Sequence, residues 1–184
     1  MNILFLDWKC FNRNETISVI EELGHHVYCF IHEDYPNYKS DDFEKEFHLF
    51  CEKHQIDACF SYNYFSLLAS GCHTRNIFYF SFIYDSPCIQ LFSYTAMYDT
   101  NRIFSFDSAI VERFRNGGLK HIYYMTLPAN TKKWNHLATL VHNTNRSVSD
   151  LSFVGALYDE QHNLYDDKLH LDNHLYLKGY LNGI

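Results

Sequence analysis

Short apolar runs recur along this chain, each cut off by polar residues and separated from the next by a segment of helical spacing, and no two are joined by a hairpin turn. The runs fall at residues 2–6, 26–31, 56–62, 77–84, 102–106 and 122–125. Strands without hairpins need crossover connections, so the pattern predicts a mainly parallel sheet with helices on both faces. The expected fold class is α/β, a Rossmann-like doubly wound sheet with a helical C-terminal tail. The run at 77–84 is the most apolar and ends abruptly at Asp85-Ser86-Pro87, which places it at the centre of the sheet, because Pro87 cannot continue a central ladder.

The intervening segments carry their own start and stop signals. A helix over 14–23 puts Ile17, Ile20 and Leu23 on one face, with Gly24 as its stop. Ser40 caps a helix over 41–54 whose first turn holds Asp41, Asp42 and Glu44, where the helix dipole favours acids. Further helices are expected over 65–74, near 91–98, and over 108–115, the last ended by Asn116-Gly117-Gly118. Residues 131–149 are polar and weakly patterned, as a linker or insertion would be. Residues 151–155 read as one more strand and 164–181 as a helix. The organisation expected is a domain over 1–130, a linker or insertion over 131–149, and a strand plus helix over 150–184.

Composition narrows the function. The 184 residues are 47% apolar and 20% charged, the balance of a globular chain long enough for one core. The net charge of −7 is spread without a cluster of Lys and Arg, so nucleic acid and anionic membrane surfaces are not expected partners. The apolar run at 3–6 is stopped by Asp7 long before a signal peptide or membrane span could form, so a cytoplasmic protein is expected. Six cysteines without a C-x-x-C pair read as buried thiols rather than disulfides or metal ligands.

In an open parallel sheet, ligands bind beyond the carboxyl ends of the strands, where loops converge with helix N-termini. That rule selects Asp7, Trp8 and Lys9, then Asn63 and Tyr64, then Asp85 and Ser86, and finally Asp107. Carboxylates, an amide and aromatic rings around one cleft suit a polyhydroxylated ligand. The competing structural roles are helix caps for the acids, favoured for Asp107 and evenly balanced for Asp85, and edge plugs for Trp8 and Tyr64.

Other chemistries lack their motifs. Neither G-x-G-x-x-G nor G-x-x-x-x-G-K-[ST] is present to cradle phosphates, and no D-x-D is present to clamp a metal. The third strand ends in Ser61-Tyr62-Asn63 rather than an Asp, against a phosphoacceptor receiver. His170 and His174 share a helical face but have no H-E-x-x-H around them, and they read as surface histidines. No metal site and no cofactor is expected in this chain.

Four strings carry a family resemblance: residues 82–87, 103–107, 118–130 and 150–158, which read FIYDSP, IFSFD, GLKHIYYMTLPAN and DLSFVGALY. Together they resemble an uncharacterised bacterial N-terminal domain that precedes a glycosyltransferase domain in proteins similar to the spore-maturation glycosyltransferases. The resemblance implies a GT-B architecture, with this chain as the acceptor-side half and residues 150–158 beginning the crossover into a second domain. It further implies that a nucleotide-sugar donor binds that second domain, with this chain inactive alone. Under it, Asp85 is the candidate catalytic base for a sugar or glycan-type acceptor. Asp7, Trp8, Asn63, Tyr64, Ser86 and Asp107 are the candidate acceptor contacts. A different class of function stays open beside it: a non-enzymatic Rossmann-like module that binds a small ligand or a protein, with Leu175, Leu177 and Leu181 suited to interaction.

Overall fold

A computed structural model describes residues 1–142. Among these residues six strands form one sheet: β1 (Asn2–Leu6), β2 (His26–Phe30), β3 (Ala58–Tyr62), β4 (Phe78–Ile83), β5 (Asn101–Ser105) and β6 (Ile122–Tyr124). Their order is β2-β1-β3-β4-β5-β6, and every pairing is parallel. The chain turns one way from β1 to β2 and then the other way through β3 to β6, so the topological switch point lies between β1 and β3. The fold is the expected Rossmann-like α/β sheet, with β3 and β4 at its centre. The expected strand at 151–155 and helix at 164–181 lie outside the described residues.

Helices α1 (Arg13–Glu22), α2 (Asp41–His54), α3 (Ser66–Arg75) and α4 (Ser108–Asn116) connect the strands. Their ends follow local chemistry. The Ser40 hydroxyl accepts from the Phe43 amide at the start of α2, and the Asp107 carboxylate accepts from the Ala109 and Ile110 amides at the start of α4. All four helices close with the same reverse bond, from His25 to Ile20, Ile56 to Cys51, Ile77 to Cys72 and Leu119 to Phe114. The preceding residues, Gly24, Gln55, Asn76 and Gly118, take the left-handed backbone that this closure needs. Ile56 and Ile77 therefore lock helix ends rather than open strands, which is why β3 and β4 begin later than the apolar runs suggest.

Two further expectations change in detail. The stretch near 91–98 forms two single 3-10 turns, Ile89–Phe92 and Tyr94–Met97, because Ser93 between them is extended and its hydroxyl accepts from the Thr95 amide. Helix α5 (Thr131–His142) occupies part of the expected linker at 131–149, started by the Asn130 side chain accepting from the Lys133 amide. Residues 143–149 lie outside the described residues. The sheet and α1 to α4 belong to a compact unit spanning Met1–Asn135. A second unit begins at His136, and the end of α5 is its described part.

The two faces of the sheet are covered differently. Leu4, Leu6, Cys59, Tyr79, Ile83, Ile103 and Ile122 share one core with Phe43, Phe47 and Cys51 of α2, Leu68 and Cys72 of α3, and Val111 of α4. The approach of α3 to α2 depends on Gly71, where a Cβ would stand 2.6 Å from the Phe47 ring. On the opposite face Phe5, Phe60, Tyr62 and Cys10 pack with Ile17 of α1. An aromatic ladder crosses that face from Phe5 to Phe60, Phe82, Phe104 and Tyr123, with centroid spacings of 5.3, 5.2, 5.0 and 5.5 Å. Cross-strand ring pairs of this kind stabilise a sheet and bind its strands into register.

All six cysteines are free thiols: Cys10, Cys51, Cys59 and Cys72 are buried as expected, while Cys29 and Cys88 are half-buried. No helix among the described residues is long and apolar enough to cross a membrane.

Candidate functional site

Parallel strands deliver their following loops to a single rim, and the candidate residues line it in two groups. The first group follows β1 and β3 and is closed. Asp7 is only 9% exposed, and its carboxylate accepts from Arg13 Nε at 2.6 Å and from the Lys9 amide at 3.1 Å. The guanidinium of Arg13 also donates to Cys29 Sγ at 3.1 Å. The hydrogen bond it donates to Asp7 holds the Arg13 pKa above its ordinary value.

Trp8 spans the switch point. Its Nε1 donates to the Tyr62 carbonyl at the end of β3, and its ring meets Tyr35, Phe65 and Tyr84 with centroids 6.0 to 6.3 Å apart. The crevice in which this topology ordinarily holds a ligand is thus filled by the chain's own indole. Burial pushes the Cys10 thiol beneath it up to about 11, with Asp7 adding to the rise. Burial likewise pushes the Tyr84 phenol up to about 12.

Asn63 is the clasp between the two groups. It is 7% exposed and takes the left-handed backbone that Asn tolerates better than most residues. Its side-chain oxygen accepts from the Tyr84 and Asp85 amides at 3.2 Å each, and its Nδ2 donates to Asp85 Oδ2 at 2.6 Å. Its carbonyl accepts from the Ser61 and Ser81 hydroxyls. Asn63 is therefore committed to holding the start of the β4 loop. Tyr64 is wholly buried, with its hydroxyl donating to Thr95 Oγ1 at 2.9 Å, and it belongs to the core.

The second group follows β4 and β5 and is open. Asp85 and Ser86 are exposed. Asp85 is no helix cap, since the 3-10 turn starts only at Ile89 and the sole bond its carboxylate accepts among the described residues is from Asn63. Ser86 Oγ donates to Asp107 Oδ2 at 3.1 Å, while Asp107 Oδ1 caps α4. The loops after two adjacent strands thus present a carboxylate with a free oxygen, a hydroxyl and a second carboxylate. This set can accept and donate hydrogen bonds to hydroxyl groups.

Sequence reasoning selected these rim residues by position and missed Arg13. Its signal was a cation in the first turn of a helix, against the dipole, which makes sense only with a specific anion nearby. Among the described residues no cluster of His, Cys, Asp and Glu could hold a metal ion. His170 and His174 lie outside the described residues. No protein-family model and no curated protein matches this chain.

Proposed function

We propose that this chain is the acceptor-binding domain of a GT-B-type glycosyltransferase, with Asp85 orienting or deprotonating an acceptor hydroxyl. One observation carries the reading. Asp85 lies just beyond the central strand β4, with one carboxylate oxygen fixed by Asn63 at 2.6 Å and the other unclaimed among the described residues. A general base needs this combination of fixed direction and free lone pair, and a base so placed contributes roughly 10²–10⁴-fold to rate. Ser86 and Asp107 supply further hydroxyl contacts beside it, and the nucleotide-sugar donor belongs to a partner domain.

Equilibrium binding of the whole chain to a panel of mono- and oligosaccharides tests the reading. Saturable binding to at least one sugar, lost in Asp85→Asn with thermal stability unchanged, is expected. Binding that survives Asp85→Asn, or no binding to any sugar, refutes it. The aromatic ladder across the second face favours a second reading, a module that engages an apolar ligand or partner there.

A further inference from the structure

The second face of the sheet holds a cavity of about 560 Å³, away from the polar rim residues Asp85, Ser86 and Asp107. Its floor is formed by Ile3 of β1, Phe60 and Tyr62 of β3, and Phe80 and Phe82 of β4. Helix α1 supplies one wall through Thr16, Val19 and Ile20, and residues 128–132 supply the other. The cavity is flanked by Asn12 and His25, at the two ends of α1, so it runs along a helix of ten residues, roughly 15 Å at 1.5 Å per residue. Its volume lies within the range of small-molecule sites, roughly 300–1,000 Å³.

The walls are tied together. Lys133 Nζ donates to Glu15 at 2.6 Å and Lys132 Nζ to Glu22 at 2.9 Å, so two ion pairs bind residues 132–133 to the two ends of α1. Each lysine holds its glutamate below the usual carboxylate range. Glu15, Glu22 and Lys132 along the cavity, with Lys133 beside it, are thereby paired. The same holds for Thr16 and Tyr62, whose hydroxyls lie 2.7 Å apart. The floor offered to a ligand is ring and aliphatic surface, with Asn12, Ser18, His25 and Thr131 also lining the cavity.

We infer that this cavity is a binding site for an uncharged, flat aromatic molecule. Ring faces and edges on the floor favour aromatic ligands in offset or edge contact, beyond the gain from burying apolar area. A charged ligand finds no unpaired partner in Glu15, Glu22 or Lys132. The inference is independent of the sugar reading, because it uses none of the rim residues.

Titration of the full chain with the neutral fluorophore N-phenylnaphthylamine tests it. The expected result is a saturable fluorescence rise with one probe per chain. Val19 is 53% exposed on the α1 wall, so Val19→Arg places a charged chain at the cavity without disturbing the core. That variant should weaken the probe by about tenfold or more, the equivalent of about 1.4 kcal/mol. Leu49→Arg, at an exposed position of α2 on the other side of the sheet, should leave binding unchanged. Equal binding by Val19→Arg and the parent chain would overturn the inference, as would non-saturating uptake or no response. So would a dimer in sedimentation that excludes the probe, which would assign the face to a second copy.

Discussion

The two halves of the strand rim use similar residues to opposite ends. After β1 and β3, a carboxylate, an indole and an amide are all consumed internally: Asp7 by Arg13, Trp8 by the Tyr62 carbonyl and three rings, Asn63 by the β4 loop. After β4 and β5, Asp85 and Ser86 stay exposed and Asp85 keeps one carboxylate oxygen unclaimed among the described residues, while Asp107 is half-buried with its oxygens engaged by the α4 amides and Ser86. Residue type and position after a strand therefore do not distinguish scaffold from site. Saturation does, since a buried polar group must be paired, whereas a binding group must keep something back.

Mutations convert this difference into measurable stability losses. The largest is expected for Asn63→Ala, about 3 kcal/mol in chemical denaturation. It leaves the Tyr84 and Asp85 amides without their acceptor and puts Ala in a left-handed backbone at a cost of roughly 1–2 kcal/mol. Asn63→Gly recovers the backbone part alone, so a gap of about 1 kcal/mol between the two variants sharpens the assignment. A loss under about 0.5 kcal/mol for Asn63→Ala would break the closed half of the comparison.

Asp7→Ala comes next, at about 2 kcal/mol. It strands Arg13 beside Cys29, but the guanidinium is 35% exposed and can turn to water, which keeps the loss below that of a fully buried pair. Adding Arg13→Gln should recover part of the loss, and a double-mutant cycle reads the coupling directly.

Alkaline pH probes the same half. The Cys10 thiol titrates near 11 in the folded chain against 9.0 ordinarily, so its neutral form is favoured by folding. That contribution is complete below pH 9 and is lost as pH rises toward 11. Cys10→Ala should flatten the decline in a denaturation series across this window.

Asp107→Ala removes the α4 cap and should cost about 1 kcal/mol, with Asp107→Ser costing less. Asp85→Asn should be the smallest, within about 0.5 kcal/mol of the parent, because the carboxylate is exposed and serves no cap. A large loss there would move Asp85 to the scaffold side.

The sheet was legible in the sequence because the apolar runs and the absence of hairpins leave few alternatives. Strand starts were less so. Ile56 and Ile77 extend their apolar runs backward, yet each serves the helix before it through a bond to Cys51 or Cys72. Helix α5 was hidden by the polar residues around it, although Asn130 three residues before Lys133 carried a capping signal. At the site, the strand-end rule found the rim but could not separate its halves. Tyr64 joins the core with its hydroxyl bonded to Thr95 from a distant turn, and Trp8 is spent on the Tyr62 carbonyl and the rings of other loops. These are tertiary facts, invisible to local pattern.

Amide chemical-shift mapping during titration with a bound sugar tests the open half most directly. The shifts should concentrate at Asp85, Ser86, Asp107 and the first turn of α4, while Asp7, Trp8 and Lys9 stay still. Shifts centred on the Trp8 loop, with Asp85 unmoved, would contradict it.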